Sequence, residues 1–294
     1  MNREKAVIVA GDMVTPYGWG IEACWQGLMA AQCAIGPIKH FDASFHGGAA
    51  GTIPGLSVEK ESSRVMAMLR PLLESAGKTI PQDTVCLLAT TIGEIEYLEK
   101  SVLEEKGGAE ESCPFKLLSK IEKIIKTKNG KVISAACSSA GVAVAEAAGR
   151  IASGREDSVL VAACDSVSEF LYSGFSSLLA LDLHKARPFD KNREGLSVGE
   201  AAGYVLLMSE KRALRENRKV LGEVAGCGLS NDAFHMTGPS RDGLELAKAI
   251  SAALESAGID PTSVASISAH GTGTLYNDAM EIRAFKKEIG RAHV

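Results

Sequence analysis

Two side chains that could do covalent chemistry lie where a predicted strand ends, namely the thiol of Cys137 and the imidazole of His270. Cys137 stands between a β-branched run and an Ala-rich helical segment. Unpaired backbone N–H groups and the positive end of the helix dipole would stabilise its thiolate, which is the nucleophilic form. His270 precedes a loop of Gly and Thr with little bulk, against which a ligand could lie.

Cys164 offers a comparison, since it also ends a predicted strand. Asp165 follows it directly, and a neighbouring negative charge raises the pKa of a thiol, so Cys137 is predicted to be the better nucleophile. Covalent acyl chemistry needs a thiolate and a nearby imidazole that binds or moves protons. Each residue alone stays open to a structural interpretation, Cys137 as a buried thiol and His270 as a core or turn histidine.

Short β-branched runs alternate with longer amphipathic or Ala-rich segments, a pattern typical of an α/β fold. Strands are predicted at residues 7–10, 84–89, 131–134, 158–162, 203–208, 220–227 and 264–268. Helices are predicted at residues 20–30, 63–75, 94–105, 114–125, 138–151, 210–216, 244–257 and 278–287. Pro71 is expected to kink or split the second helix. Ligands of open α/β sheets gather at the carboxyl ends of strands, where both reactive side chains would fall.

Length and composition narrow the class of protein. A chain of 294 residues predicts two domains or one large α/β unit, and a formal charge of -4 leaves no basic excess for nucleic acid or an anionic membrane. Seven cysteines without a C-x-x-C pair fit a reducing compartment, and the six histidines lack zinc-ligand spacing. No signal-peptide core or membrane-spanning run is present. We therefore expect a cytoplasmic protein without a metal, nucleic-acid or membrane partner.

Five stretches add an ordered pattern. They are Val14-Thr-Pro-Tyr-Gly18 with its neighbours to Asp42, Ser134-Ala-Ala-Cys-Ser-Ser-Ala140, Arg187-Pro-Phe-Asp190 continuing to Gly203, Asp232-Ala-Phe-His-Met-Thr-Gly-Pro239, and Ala269-His-Gly-Thr-Gly-Thr274 with Asn277, Asp278 and Glu281. Together they resemble the β-ketoacyl-acyl-carrier-protein synthases, condensing enzymes of the thiolase fold. The resemblance covers nearly all of residues 6–287, with Ala135 where the family's T-A-C-S-S motif has Thr.

The resemblance implies a fold and a mechanism. The fold would be the thiolase-like layered α-β-α-β-α arrangement, with the N-terminal half complete and the C-terminal half only begun. Cys137 would take an acyl group from a carrier-protein thioester. His270 would help decarboxylate a malonyl thioester and stabilise the enolate, which then attacks the acyl-cysteine. Thr272 and Thr274 would hydrogen-bond the pantetheine arm.

The resemblance also implies supporting residues and partners. Glu200 would be a buried structural carboxylate, and Arg187 and Asp190, with Arg193, would organise their long loop through charge-assisted hydrogen bonds. No cofactor is expected on the chain itself, since the substrates travel on the phosphopantetheine of an acyl carrier protein. That carrier protein is the expected partner, and a homodimer or a synthase heterodimer is expected for the full-length form.

The resemblance divides the chain into three parts. Residues 1–260 would be the N-terminal ketoacyl-synthase half, residues 261–288 the start of the C-terminal half, and residues 289–294 a non-native tail that reads like a translated sequencing adapter. The family's later motifs, with a second catalytic His and an oxyanion-hole loop, have no counterpart before Val294. We therefore expect a C-terminally truncated synthase that is poorly soluble and catalyses no condensation alone.

Two other functions stay open. A non-catalytic partner subunit, like the chain-length factors of synthase heterodimers, would lack the nucleophile, so the presence of Cys137 argues against it. An unrelated cysteine hydrolase could use Cys137 with His270, but it would not need the other ordered motifs. The sequence does not specify the acyl length, the pathway or the carrier protein.

Overall fold

The computed structural model describes residues 4–44, 47–59, 62–105, 107–235 and 237–290. The chain divides into two units. The first unit is Met1–Asp42, Ala50–Tyr172 and Gly199–Val224, and the second unit is Ala43–Ala49, Ser173–Val198 and Ala225–Val294. Of the predicted tail, residues 291–294 lie outside the described residues.

One mixed sheet forms the centre of the first unit. The strands of the chain are β1 (Ala6–Thr15), β2 (Gly18–Trp19), β3 (Gly36–Pro37), β4 (Ala49–Ala50), β5 (Val85–Ala89), β6 (Lys131–Ile133), β7 (Ser158–Asp165), β8 (Ala201–Ser209) and β9 (Gly222–Glu223). The sheet has the order β2-β1-β8-β7-β5-β6, with β9 beside β1. Strand β5 pairs in parallel with β6 and β7, whereas β8 is antiparallel to β7 and β1. The first five predicted strands are confirmed.

All eight predicted helices are present within a few residues of their predicted bounds. The helices are α1 (Ile21–Met29), α2 (Arg64–Ala76), α3 (Glu96–Leu103), α4 (Pro114–Ile125), α5 (Ser139–Ala152), α6 (Glu169–Ser177), α7 (Glu210–Arg215), α8 (Leu244–Ala257) and α9 (Leu275–Glu288). Helix α6 was not predicted. Among the described residues, no helix combines the length and apolar character that crossing a bilayer requires.

Helix α2 continues through Pro71 as one element, so the split considered for this position does not occur. The hydroxyl of Ser63 caps the helix by accepting a hydrogen bond from Met66 N at 3.0 Å. Seven buried side chains line the helix, among them Leu69 and Leu73. Their burial stabilises the helix by more than the one backbone hydrogen bond that a proline removes.

Two predicted strands are wrong. Residues 220–227 form a strand only at β9, which pairs with Val7 and Ile8 of β1. Residues 264–268 form no strand with any part of the chain that the structure describes. A β-branched run indicates that a segment suits a sheet, but a strand also needs a neighbour to bond. The sequence pattern carries no information on that neighbour.

Helices cover both faces of the sheet in the first unit. Successive strand residues point to opposite faces, so Cys86 and Leu88 of β5 pack with α2 and α4, while Leu87 and Ala89 pack with α5. This α-β-α layering confirms the predicted α/β class. It also brings the carboxyl ends of β5, β6 and β7 to one edge of the sheet.

The second unit contains α8 and α9, which pack against each other. Each helix buries small or aromatic side chains, with Ala247 on α8 and Ala284 and Phe285 on α9. The loop that carries His270 lies directly before α9 in the chain.

Candidate active site

Cys137 lies in the turn between β6 and α5, as the sequence predicts. Cys137 is exposed, so its interpretation as a buried structural thiol is wrong. The preceding Ala136 has a φ of 49°, in the left-handed region that residues with a Cβ seldom occupy. Such a conformation persists only where the surrounding structure holds it.

Two serines tie this turn together. The hydroxyl of Ser139 accepts from Ala135 N at 2.8 Å and donates to the Ala136 carbonyl at 2.6 Å. The hydroxyl of Ser138 donates to the Ala135 carbonyl at 2.7 Å. Both serines of the nucleophile motif therefore bond the backbone beside Cys137, which stabilises the strained turn.

Cys164, the second strand-end cysteine, is unsuited to nucleophilic chemistry. It is buried within the strand β7. Burial raises the pKa of the Cys164 thiol well above its usual value, and the negative charge of Asp165 raises it further. The predicted effect of Asp165 is confirmed in direction, but burial is the larger cause. The seven cysteines form no disulfide with one another.

The His270 loop is held by a carboxylate of the following helix. Glu281 of α9 is buried, and its two oxygens accept from His270 N and Gly271 N, each at 2.8 Å. The amide of Asn277 donates to the same carboxylate at 2.9 Å. The His270 residue itself is exposed. Helix α9 therefore fixes the backbone from which this imidazole projects.

The next part of the loop carries the two threonines predicted to contact the pantetheine arm. Thr272 and Thr274 are brought together, with their hydroxyl oxygens 2.9 Å apart. Between them, Gly273 has a φ of 75°, and a Cβ there would lie 2.6 Å from the Gly195 carbonyl oxygen. Its N–H donates to Asp278 at 3.1 Å. Only glycine fits this position.

Asp278 and Glu281 are residues whose role the sequence analysis missed. Both belong to the motif that follows His270, and the motif alone does not specify their function. The available signal was their spacing, since a Gly-rich loop followed by N-D-x-x-E places two acidic side chains in the first turns of a helix, where loop N–H groups need acceptors.

Arg187 and Asp190 lie in the long loop that precedes β8. Arg187 donates to Asp182 at 3.2 Å and to Glu194 at 3.1 Å. Asp190 accepts from the backbone N–H of Asn192 at 2.6 Å, which forms a local turn. These contacts agree with a loop-organising role and place no catalytic demand on either side chain.

Arg193 links the same loop to the His270 segment within the second unit. Its guanidinium donates to the Thr274 carbonyl at 3.2 Å and to the Leu275 carbonyl at 2.8 Å. Asp278 also accepts from Phe189 N at 2.7 Å. The side chains of Arg193 and Asp278 therefore join the 187–195 loop to the start of α9 by hydrogen bonds.

Glu200 is buried, and its carboxylate is fully engaged. It accepts from Ile53 N at 2.9 Å, from Val167 N at 3.2 Å and from the Arg64 guanidinium, whose Nε lies at 2.9 Å. An engaged carboxylate paired with an arginine has no free role as a general base. Within the described ranges, no cluster of His, Cys, Asp and Glu is arranged to hold a metal ion.

Comparison with known proteins decides the family. The family described as "Beta-ketoacyl synthase, N-terminal domain" matches residues 131–213, and "Beta-ketoacyl synthase, C-terminal domain" matches residues 221–293. The 3-oxoacyl-[acyl-carrier-protein] synthase 2 of Vibrio cholerae serotype O1 is 30% identical, over 99% of this chain and 79% of its own length. The chain belongs to the β-ketoacyl synthase family.

Further comparisons agree with this family. The 3-oxoacyl-[acyl-carrier-protein] synthase 2 of Synechocystis sp. is 31% identical, over 99% of this chain and 78% of its own length. A solved structure, "The ishigamide ketosynthase/chain length factor", superposes with a TM-score of 0.83 at 27% identity, over 99% of this chain and 79% of that chain. The family resemblance and the thiolase-like fold class inferred from the ordered motifs are confirmed.

Proposed function

We propose that this chain carries the nucleophile, Cys137, of a β-ketoacyl synthase that joins an acyl group to a malonyl-derived carbanion by decarboxylative Claisen condensation. The relatives from Vibrio cholerae and Synechocystis are both named 3-oxoacyl-[acyl-carrier-protein] synthase. The observation that supports the proposal most directly is the exposed Cys137 in a strained turn immediately before α5. Enzymes hold a nucleophile in this way when it must meet a substrate carbonyl.

The first half-reaction is acyl transfer. The Cys137 thiolate attacks the carbonyl carbon of an acyl thioester, a carbon–sulfur bond forms, and the carrier thiol leaves and takes up a proton. The N–H groups at the start of α5 and the helix dipole favour negative charge on the attacking sulfur. The product is an acyl-Cys137 thioester.

The second half-reaction makes the carbon–carbon bond. The malonyl carbon–carbon bond to the carboxylate breaks, carbon dioxide leaves, and the electron pair moves into an enolate whose oxygen carries the charge. We assign His270 as the donor to that oxygen, because a positioned hydrogen-bond donor lowers the barrier to charge build-up. The carbanion then attacks acyl-Cys137 and the cysteine thiolate is released.

The same proposal covers the partners. Both thioesters arrive on the phosphopantetheine of an acyl carrier protein, which is the proposed partner, and the adjacent hydroxyls of Thr272 and Thr274 are the proposed contacts of the pantetheine arm. The chain itself then needs no bound cofactor. A homodimer or a synthase heterodimer in the cytoplasm completes the proposal.

The experiment measures the two half-reactions separately. Acyl-enzyme formation from carrier protein loaded with medium- or long-chain acyl groups is followed by intact mass. Decarboxylation of malonyl carrier protein is followed by the release of carbon dioxide. We expect an acyl adduct on the protein and malonyl decarboxylation above the buffer rate.

Two outcomes would overturn the proposal. Absence of an acyl adduct, in a sample whose exposed Cys33 and Cys113 are readily alkylated, indicates a non-catalytic partner subunit. Continuous release of free fatty acid without a lasting adduct indicates a cysteine hydrolase instead.

A further inference from the structure

Asp165 is the last residue of β7, and its carboxylate binds the turn that follows the neighbouring strand β5. One oxygen accepts from the Thr90 hydroxyl at 2.8 Å and from Ile92 N at 3.1 Å. The other accepts from Thr91 N at 2.9 Å. A single carboxylate therefore gathers three donors from three consecutive residues.

The 90–92 turn also contacts the turn that contains Cys137. The hydroxyl of Thr91 donates to the Ala136 carbonyl at 3.2 Å. Ala136 is the residue with the left-handed backbone directly before Cys137. Because β5 lies between β7 and β6, this contact chain runs across three adjacent strand ends, from Asp165 through Thr91 to the start of the Cys137 turn.

We propose that Asp165 is a positioning residue for Cys137, acting through Thr91 on the Ala136 carbonyl. The inference rests on the proposed function only in taking Cys137 as the nucleophile. Asp165 fixes the 90–92 turn, and the fixed turn supplies Thr91 as a donor that helps hold Ala136 in its unfavourable conformation. The direction in which the Cys137 side chain leaves the backbone follows from that conformation.

The opposite end of the same two strands provides a matched comparison. There the hydroxyls of Thr84 and Ser158 lie 2.8 Å apart, and they join the residue before β5 to the first residue of β7. This pair stabilises the same strand pairing as Asp165 and Thr90 do, but it lies at the ends of β5 and β7 opposite to the 90–92 turn. A purely structural role for Asp165 predicts that both ends behave alike.

The test measures the second-order rate of alkylation of Cys137 by iodoacetamide, resolved by peptide mass spectrometry. Exposed Cys33 and Cys113 serve as reference thiols in the same sample. Thr91→Val removes the hydroxyl without changing the shape, and we expect the Cys137 rate to fall roughly threefold to tenfold, the effect of one hydrogen bond. Asp165→Asn should lower it further, by about tenfold or more, because three donors lose acceptor strength.

Two controls separate positioning from stability. Thr91→Ser keeps the hydroxyl and should restore most of the wild-type Cys137 rate. Thr84→Val removes the hydrogen bond to Ser158 and should lower the unfolding temperature while leaving the alkylation rate of Cys137 unchanged. If Asp165→Asn does not fold, Thr91→Val alone decides the matter, since Thr91 is an exposed residue whose substitution spares the core.

Unchanged Cys137 alkylation in both Thr91→Val and Asp165→Asn would overturn the proposal. A parallel change at Cys33 and Cys113 would also overturn it, because that result indicates general loosening. Alkylation needs no acyl substrate, so this test is independent of the proposed function. If wild-type protein forms no acyl adduct but Thr91→Val still slows alkylation of Cys137, the proposed function is wrong and the positioning role stands.

Discussion

The Cys137 turn and the His270 loop are both held by carboxylates, but those carboxylates lie at different distances along the chain. Glu281 follows the N–H groups that it binds by 11 and 10 residues. Asp165 lies 74 and 73 residues from Thr91 and Ile92, and Thr91 lies 45 residues from Ala136. The backbone at His270 is held by the helix that directly follows it, α9, whereas the turn at Cys137 is held across three strand ends of the sheet.

This difference has a functional consequence. Damage to α9 should reach the His270 chemistry and leave the Cys137 chemistry in place. Damage at the carboxyl end of β7 should do the reverse. Substitutions that separate the two half-reactions therefore test whether the two regions are held independently.

The largest expected effect is at Cys137 itself. Cys137→Ser should abolish acyl-enzyme formation, because an alcohol is scarcely ionised near neutral pH whereas a thiol at a helix start can be. Intact mass after incubation with acyl carrier protein measures the adduct, and Cys113→Ser, at another exposed cysteine, is the control. An acyl adduct retained by the C137S protein would contradict the assignment.

His270→Ala should impair malonyl decarboxylation about a hundred- to a thousandfold, the usual cost of removing one donor to a developing oxyanion. Acylation of Cys137 should change far less. Carbon dioxide release and acyl-enzyme formation are measured on the same preparation, with His235→Ala as the control because His235 is also exposed in the second unit. Retained decarboxylation with lost acylation would reverse the division of roles.

Glu281→Gln tests the local hold on the His270 loop. The two loop N–H groups bind different oxygens of the carboxylate, and in glutamine one of those oxygens is replaced by an NH2 donor. One loop N–H then loses its acceptor, so we expect roughly a tenfold fall in decarboxylation with little change in acylation. Glu255→Gln on α8 changes the net charge equally at an exposed position. Equal losses in both half-reactions would show that the two regions are not independent.

Glu96 sharpens the comparison, because it is a buried carboxylate of which only one oxygen is used. Its Oε2 accepts from Arg64 N at 2.8 Å, while Oε1 has no hydrogen-bond partner among the described residues. Burial raises the pKa of Glu96. A raised pKa in the folded state means that the ionised form opposes folding, and that this cost disappears as the pH falls through the folded-state pKa.

The smallest predicted effect follows from this carboxylate. Glu96→Gln should stabilise the protein by about 1 kcal/mol at pH 8, since the amide keeps an acceptor for Arg64 N without an unpaired charge. The gain should shrink as the pH is lowered from 8 to 4.5, because the raised pKa makes the folded carboxyl take up its proton at a higher pH than the unfolded one. Urea unfolding at both pH values measures it, and a gain that grows as the pH falls would contradict the sign.

The predictable parts of the molecule are those with local signals. The helix α4 is amphipathic and begins at a proline, and the turn at Cys137 lies between a β-branched run and an Ala-rich helix, so both could be predicted. Helix α6 was missed because its Ser, Gly and aromatic residues are weak helix formers, and buried Tyr172 and a bond from Phe170 N to Glu99 at 2.7 Å help hold it.

The support of the Cys137 turn had no local signal. The sequence indicates for Asp165 only a charge beside Cys164, since nothing near residue 165 indicates that β5 will lie between β7 and β6. That neighbourhood arises from strand pairing over long sequence separations, which propensity and spacing do not encode. In contrast, the acceptors of the His270 loop, Asp278 and Glu281, follow that loop within a few residues in the N-D-x-x-E motif.

The measurement that tests the account most directly is the location of the acyl group after wild-type protein has been incubated with acyl carrier protein. Peptide mapping compares Cys137 with exposed Cys33 and Cys113 and with buried Cys164. We predict an acyl thioester on Cys137 and none on the other three. Acylation spread equally over the exposed cysteines, or absent from Cys137, would contradict the account.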